Sequence, residues 1–442
     1  MPEPIAVPAV ERRKLGEQER LFHYLHRYGA MIAVQVLHLR GTIDPERLQA
    51  GLDWLQQKHP LLRAHVEYGG PVFRSRPPYV YLQPYFVTGG TRRIPLRVVT
   101  GGGPDAWRGV FAEELRKPLG RGKHPRMRAV LVRSSETADT CQIFLTSDHA
   151  IADGQTTNMA SRDLLAFLSD IALPPLDAKP LPQALEAALP AVTAEVETYT
   201  PAERIPHRTV GGREVMRTLK ETFSPEATAQ LHAAARAQRT TMHGALSAAF
   251  LLAFRMRYGV ESMTQLSTVD LRRMCKPAFP PETFGCYIDL LRTRHEVPDD
   301  FWAVARDVSF KLITTLAKDR SNASLMKLWG MEVYRKDLWP TLKSRRRIDG
   351  LAVTTIGDSG LRRNYGPLAL EEITMAVSTG FFGPSLFVIS NEWAGQLDLH
   401  VGFPDYAIHP DEVAAICALA RRVLEEACAL EGTKSRATPA IP

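Results

Sequence analysis

Apolar and polar positions along this chain alternate between two periods, and each change of period marks an element. Leu48, Leu52 and Leu55 recur at helical spacing behind Asp44-Pro45, a capping residue followed by proline at the first helical position. Strand-like runs flank that helix at Ala30–Leu39, Leu61–Tyr68, Ile94–Val99 and Met127–Val132. The apolar stretch Cys141–Thr146 reads as a further strand, and a helix is expected from about Thr156 to Ser169, burying Met159, Leu164, Leu165 and Leu168. Farther on, Pro225–Gln238 and Thr241–Tyr258 carry helical patterns. Strand-like runs follow at Met263–Val269, Tyr287–Leu291, Leu351–Ile356, Ile373–Val377 and Leu386–Ser390. Gln396–Gly402 alternates as a half-buried strand does, and the last helix, Pro410 to about Ala429, keeps Val413, Ile416, Leu419 and Val423 on one side. Helices and strands are mixed throughout, so the fold class is α/β or α+β.

The clearest break lies between about 171 and 210. Pro174, Pro175, Pro180, Pro182, Pro190, Pro201 and Pro206 interrupt an alanine-rich stretch there. Proline fixes φ and has no amide donor, so this stretch is not a regular core element along its whole length. The expected division is a lobe over 1–175, a Pro/Ala-rich linker over 176–210 and a second lobe over 211–442.

One short run carries chemistry. His149, Asp153 and Gly154 lie in Ser147-Asp-His-Ala-Ile-Ala-Asp-Gly-Gln155, directly behind the strand-like Cys141–Thr146. A histidine delivered by a strand end, with a glycine turn and a helix behind it, is well placed as a general base. A neutral imidazole takes a proton from a hydroxyl or amine near pH 7 because its ordinary pKa lies close by. Asp153 is read either as the second member of a dyad or as an ion-pair partner that shapes the loop. Gly154 is expected to let the backbone turn closely behind the histidine and to offer its amide to an oxyanion. His23, His26, His400 and His409 have no metal-ligand spacing, and no metal site is expected. No GxSxG elbow, Walker A loop, HExxH or paired CxxC occurs, which disfavours a serine hydrolase, a nucleotidase or a zinc enzyme.

Composition narrows the setting. A hydrophobic share of 45% and a charged share of 23% are ordinary for a globular chain, and 442 residues suffice for two domains. The longest apolar run, Gly244–Phe254, is too short to span a bilayer and stops at Arg255. The start, Met-Pro-Glu-Pro-Ile, lacks the layout of a signal peptide. Five cysteines at positions 141, 275, 286, 417 and 428 have no framework spacing, as in reduced cytoplasmic proteins. The net charge of +7 is dispersed apart from Lys343-Ser-Arg-Arg-Arg347, and no nucleic-acid partner is expected. A modest basic surface suits an acidic carrier protein or the phosphates of coenzyme A.

The run HxxxDG at 149–154 resembles that of the acyltransferase superfamily of peptide-synthetase condensation domains, chloramphenicol acetyltransferase and polyketide-associated acyltransferases. Three further segments are similar to that family: His59-Pro-Leu-Leu-Arg-Ala64; Thr268-Val-Asp-Leu-Arg272 with Pro280-Pro-Glu-Thr-Phe-Gly285; and Val353-Thr-Thr-Ile-Gly357. The likeness spans roughly residues 15 to 430. It departs in lacking a late DFGWG motif and in having Cys286 where the family places an asparagine. The resemblance implies two chloramphenicol-acetyltransferase-like lobes in a V, with an active-site tunnel between them. It implies Arg272, ahead of Arg273, as the partner of Asp153. Thr354 and Thr355 are candidates for hydroxyl contacts to the acyl donor or the tetrahedral intermediate, beside the ordinary reading of threonines in a strand. The resemblance also implies a freestanding acyltransferase with His149 as base and no permanently bound cofactor. The donor is a phosphopantetheine thioester, on a carrier protein acting in trans or on coenzyme A, and the acceptor is a small alcohol or amine. The expected enzyme is a cytoplasmic monomer, not inserted in a membrane, forming esters ahead of amides in polyketide or nonribosomal-peptide metabolism. Two alternatives stand beside it: a coenzyme-A-dependent O-acyltransferase of lipid or small-molecule metabolism, and a non-catalytic carrier-binding module.

Overall fold

Two stretches of apolar alternation, one early and one late, each build a sheet, and the chain divides into two units accordingly. The computed structural model describes residues 10–69, 83–103, 105–133, 139–176, 179–189, 215–317, 350–380, 383–428 and 438–441. The first unit runs to Leu189 and also takes in Arg272–Tyr287 and Arg362–Thr374; the remainder forms the second. The division therefore does not follow a single cut, because two later segments return to the first unit. The basic run Lys343–Arg347 lies outside the described residues, as does the proline-interrupted stretch from residue 190 on.

In the first unit the chain forms β1 (Arg12–Lys14), α1 (Glu17–Arg27), β2 (Ile32–Arg40), α2 (Pro45–Lys58), β3 (His65–Gly69), β4 (Gln83–Val87) and β5 (Leu96–Thr100). It continues with α3 (Ala106–Arg116), β6 (Met127–Arg133), β7 (Thr140–Asp148), α4 (Gly154–Leu168) and the short α5 (Leu185–Ala188). The central pairs β2·β7 and β7·β6 are antiparallel, with Ile32 opposite Asp148 and Met127 opposite Ser147. β7 is thus buried between two neighbours, which is why Cys141–Leu145 reads as a nearly continuous apolar run. Asp44 caps α2 by accepting from the Arg47 amide at 3.0 Å.

Leu61–Tyr68 departs from its expected strand. Pro60–Arg63 is a 3₁₀ turn with proline at its start, and only His65–Gly69 pairs as a strand. Leu61 and Leu62 are buried by that turn, so their apolar character carries no strand information. The described part of the expected linker packs on the first unit. Leu181, Leu185 and Leu189 are buried, and the Lys276 amide donates to the Ala188 carbonyl at 2.8 Å.

The second unit contains β8 (Met216–Phe223), α6 (Pro225–Ala237), α7 (Met242–Tyr258), β9 (Ser262–Asp270), β10 (Ile288–Glu296), α8 (Phe301–Ala317) and β11 (Leu351–Asp358). The short β12 (Asn364–Tyr365) and the start of β13 (Leu368–Val377) extend the six-stranded sheet of the first unit, in the order β12-β13-β2-β7-β6-β5. Then come β14 (Leu386–Trp393), β15 (Gln396–Pro404), α9 (Pro410–Cys428) and β16 (Thr438–Ile441). The second sheet has the order β10-β9-β11-β14-β15-β8-β16, with β11 parallel to both its neighbours. Its core is organised around α7, which packs against α8 and α9 and is buried from Gly244 to Phe254. A helix apolar all round belongs inside, and each large side chain such as Leu246, Phe250 or Leu251 contributes roughly 1.5–3 kcal/mol on burial.

Candidate active site

The turn that carries His149 is held before the helix begins. β7 ends at Asp148, whose amide donates to the Arg126 carbonyl, while the His149 amide donates to the Met31 carbonyl, both at 3.0 Å. The Asp148 side chain accepts from the Ala150 amide at 3.0 Å, and the Ile151 amide donates to the Asp148 carbonyl. The backbone on either side of the histidine is therefore clamped. The His149 ring meets the edge of Phe22 at a centroid distance of 5.3 Å, and its Nδ1 lies 3.6 Å from the Cys286 thiol. Among the described residues, Nε2 has no hydrogen-bond partner. Burial pushes the His149 pKa below its ordinary value, opposed by a hydrogen bond to its own backbone and by the charges of Asp153 and Asp148. The imidazole is accordingly neutral at pH 7.

Asp153 is committed elsewhere. Its Oδ1 caps α4 by accepting from the Thr156 amide at 2.9 Å. Its Oδ2 pairs with Arg272 Nη2 at 2.8 Å and accepts from the Tyr287 amide at 3.0 Å. Both partners of the pair are buried, whereas Arg273 is exposed. Arg272 also donates to the Thr156 hydroxyl at 2.9 Å and to the Gly285 carbonyl at 3.3 Å, with its guanidinium 4.9 Å from the Tyr287 ring. Both carboxylate oxygens of Asp153 are thus engaged by Arg272, Thr156 and Tyr287, and no hydrogen bond joins them to His149 among the described residues. Gly285 is required where it stands, since a Cβ there would lie 2.4 Å from the Tyr287 ring. Gly154 opens α4 without a left-handed φ, so its place does not rest on backbone freedom.

Thr354 and Thr355 lie on β11 in the second unit. Thr355 Oγ1 is 3.1 Å from His243 Nδ1, and His243 Nε2 is 3.0 Å from the Ser267 hydroxyl. Burial, with the nearby His295 adding to it, lowers the His243 pKa to about 4, so this polar chain is uncharged.

A second cluster beside His149 escaped the sequence reading. Asp148, fully buried, accepts from Arg126 Nε at 3.1 Å and Nη2 at 2.9 Å, and lies 3.0 Å from His23 Nδ1. His26 Nδ1 is 3.9 Å from its other oxygen, and His26 Nε2 accepts from the Leu119 amide at 2.8 Å. Electrostatic attraction to His26 and Arg126 and the hydrogen bond from His23 hold the Asp148 carboxyl well below the usual carboxylate range despite its burial. Burial lowers His26 to about 4. The available signal was the three-residue spacing of His23 and His26, which shares one helix face; the sequence did not show what that face meets. Among the described residues, no three His, Cys, Asp or Glu side chains are grouped to hold a metal ion, and no helix is long and apolar enough to cross a membrane.

The fold is similar to that of solved condensation domains and acyltransferases. Residues 212–354 match the family model of the phthiocerol/phthiodiolone dimycocerosyl transferase C-terminus. Three solved structures are similar in fold. Polyketide synthase associated protein 5 from Mycobacterium tuberculosis is 19% identical with a TM-score of 0.62, covering 94% of this chain and 98% of its own. The condensation domain of the Monacolin K polyketide synthase is 12% identical with a TM-score of 0.69, covering 95% and 98%. The trichothecene 15-O-acetyltransferase from Fusarium sporotrichioides is 13% identical with a TM-score of 0.68, also covering 95% and 98%. No curated protein sequence matches the chain.

Proposed function

We propose that this protein transfers an acyl group from a phosphopantetheine thioester to a hydroxyl or amine, with His149 as the general base. The observation that carries the reading is the state of His149: a clamped, buried and neutral imidazole whose Nε2 has no partner among the described residues. Nε2 takes the proton of the acceptor hydroxyl as its oxygen attacks the thioester carbonyl. The carbon–sulfur bond then breaks, the proton passes to the leaving sulfur, and an ester and a free thiol result. An amine acceptor follows the same course to an amide. No covalent enzyme intermediate is involved. The Gly154 amide at the head of α4 is assigned to the oxyanion, where a helix N-terminus favours negative charge. Asp153 and Arg272 hold the loop and do not take part in proton transfer. The matched family and the polyketide-associated fold relatives support a donor on a carrier protein acting in trans.

The test is acyl transfer from acyl-pantetheine, acyl-coenzyme-A and acyl-carrier thioesters to alcohols and amines, read by mass spectrometry. Product is expected with wild type and lost, by at least a hundredfold, in His149→Ala. The preferred donor separates carrier-dependent from coenzyme-A-dependent chemistry. Equal turnover by a folded His149→Ala protein would refute the base assignment. Carrier binding with no turnover of any thioester would favour the non-catalytic module.

A further inference from the structure

A cavity of about 500 Å³ opens on the first unit, away from His149, Asp153 and Arg272, none of which lines it. That size is typical of small-molecule sites. One wall is a stripe of α4, where Met159, Arg162, Asp163 and Ala166 follow one another at helical spacing. The segment behind the helix supplies Ile171 and Leu173, so the interior is mainly apolar. Ile171 is 38% exposed, so part of its aliphatic surface is open to an occupant of the cup.

The charges on this apolar cup are unbalanced. Lys58, Arg162, Lys179 and Arg362 line it against Asp163 and Glu282, a formal surplus of two positive charges. Asp163 is already taken by Lys58 at 2.6 Å, with Arg162 only at 3.9 Å. Among the described residues, neither Lys179 nor Arg362 has a carboxylate partner. Tyr365, buried in the wall, accepts from the Arg362 amide at 3.1 Å and fixes that arginine at the rim. Two guanidinium groups and a lysine thus surround an apolar space without enough carboxylate to neutralise them.

We propose that this cavity binds a phosphate monoester carrying an apolar body. A phosphate monoester has about −1.5 to −2 charge at pH 7, which matches the surplus. Its oxygens suit the forked donors of Arg162 and Arg362, which a single carboxylate would occupy less fully. The apolar body covers Met159, Ile171 and Leu173. This site is independent of the acyl-transfer reading, and a protein inactive with every thioester would still bind.

The test is calorimetric titration of the full chain with hexyl phosphate, beside hexanoate and inorganic phosphate, for wild type and for Arg162→Ala/Arg362→Ala. Both arginines are exposed, so the double variant is expected to melt with wild type, which a thermal scan checks. Hexyl phosphate is expected to bind one to one, tighter than either control by tenfold or more, and the double variant to lose about tenfold or more. Absence of saturable binding, or equal affinity in the double variant, would overturn the site. Equal affinity for hexanoate would overturn the phosphate assignment.

Discussion

Asp153→Ala removes one carboxylate and three interactions. The cap on α4 is lost, which costs about 1 kcal/mol at such a position. The Tyr287 amide is left buried without its acceptor, a further cost of about 1–3 kcal/mol. The largest effect falls on Arg272, a buried guanidinium 2.8 Å from the missing oxygen; breaking such a pair from one side costs about 3–5 kcal/mol. These terms share atoms and do not add. Because Arg272 keeps the Thr156 hydroxyl and the Gly285 carbonyl, the net is placed at about 3–4 kcal/mol. That is a large part of an ordinary domain's stability and corresponds to a melting point lower by on the order of 10 °C. Thermal and urea unfolding by circular dichroism measure it, with Arg272→Met and the double variant completing a cycle. The double variant should be more stable than Asp153→Ala, because it leaves no buried charge unpaired. A melting point within about 2 °C of wild type for Asp153→Ala, or a double variant less stable by the sum of the singles, would refute the buried-pair argument.

With His149 in the proposed role of base and its pKa below the ordinary histidine value, the acid limb of kcat/KM should fall below pH 6.5; an inflection at or above that value counts against a desolvated imidazole. His26 and His243 are each lowered from 6.5 to about 4, so the unfolded chain binds more protons between those values. Stability is therefore complete above pH 6.5 and declines as pH falls toward 4, by up to about 1.4 kcal/mol per pH unit for each histidine, as urea midpoints at pH 7, 6 and 5 will show. Asp148→Ala strands Arg126 and loosens the turn before His149, so it should lower both the melting point and kcat while changing KM little. Gly285→Ala forces the Tyr287 ring aside and should cost about 1–3 kcal/mol in thermal unfolding, whereas an unchanged melting point would mean that the ring yields freely.

Local signals named most elements. Asp44-Pro45 announced α2 because capping and the proline φ act over a few bonds. α4 begins at Gly154, two residues ahead of its expected start, because Asp153 serves as the N-cap; its side chain is both a cap and an ion-pair partner, and spacing shows only that it is acidic. The polar pattern failed where one residue type serves two ends. Leu61 and Leu62 are buried by a 3₁₀ turn, and His23 and His26 read as isolated histidines although both face Asp148.

By itself the sequence determined what local chemistry decides: the strand that delivers His149, the helix behind it, the apolar helix α7, and a chain of mixed helices and strands. Tertiary structure decided what depends on long-range contact. Arg272 reaches Asp153 across more than a hundred residues, and segments 272–287 and 362–374 belong with the first unit. The cationic cavity draws Lys58, Arg162, Lys179 and Arg362 from separate parts of the chain. Periodicity records which face of an element is buried, since that is a property of neighbours along the backbone. Which charge meets that face depends on closing long loops, and a one-dimensional pattern carries no record of the partner.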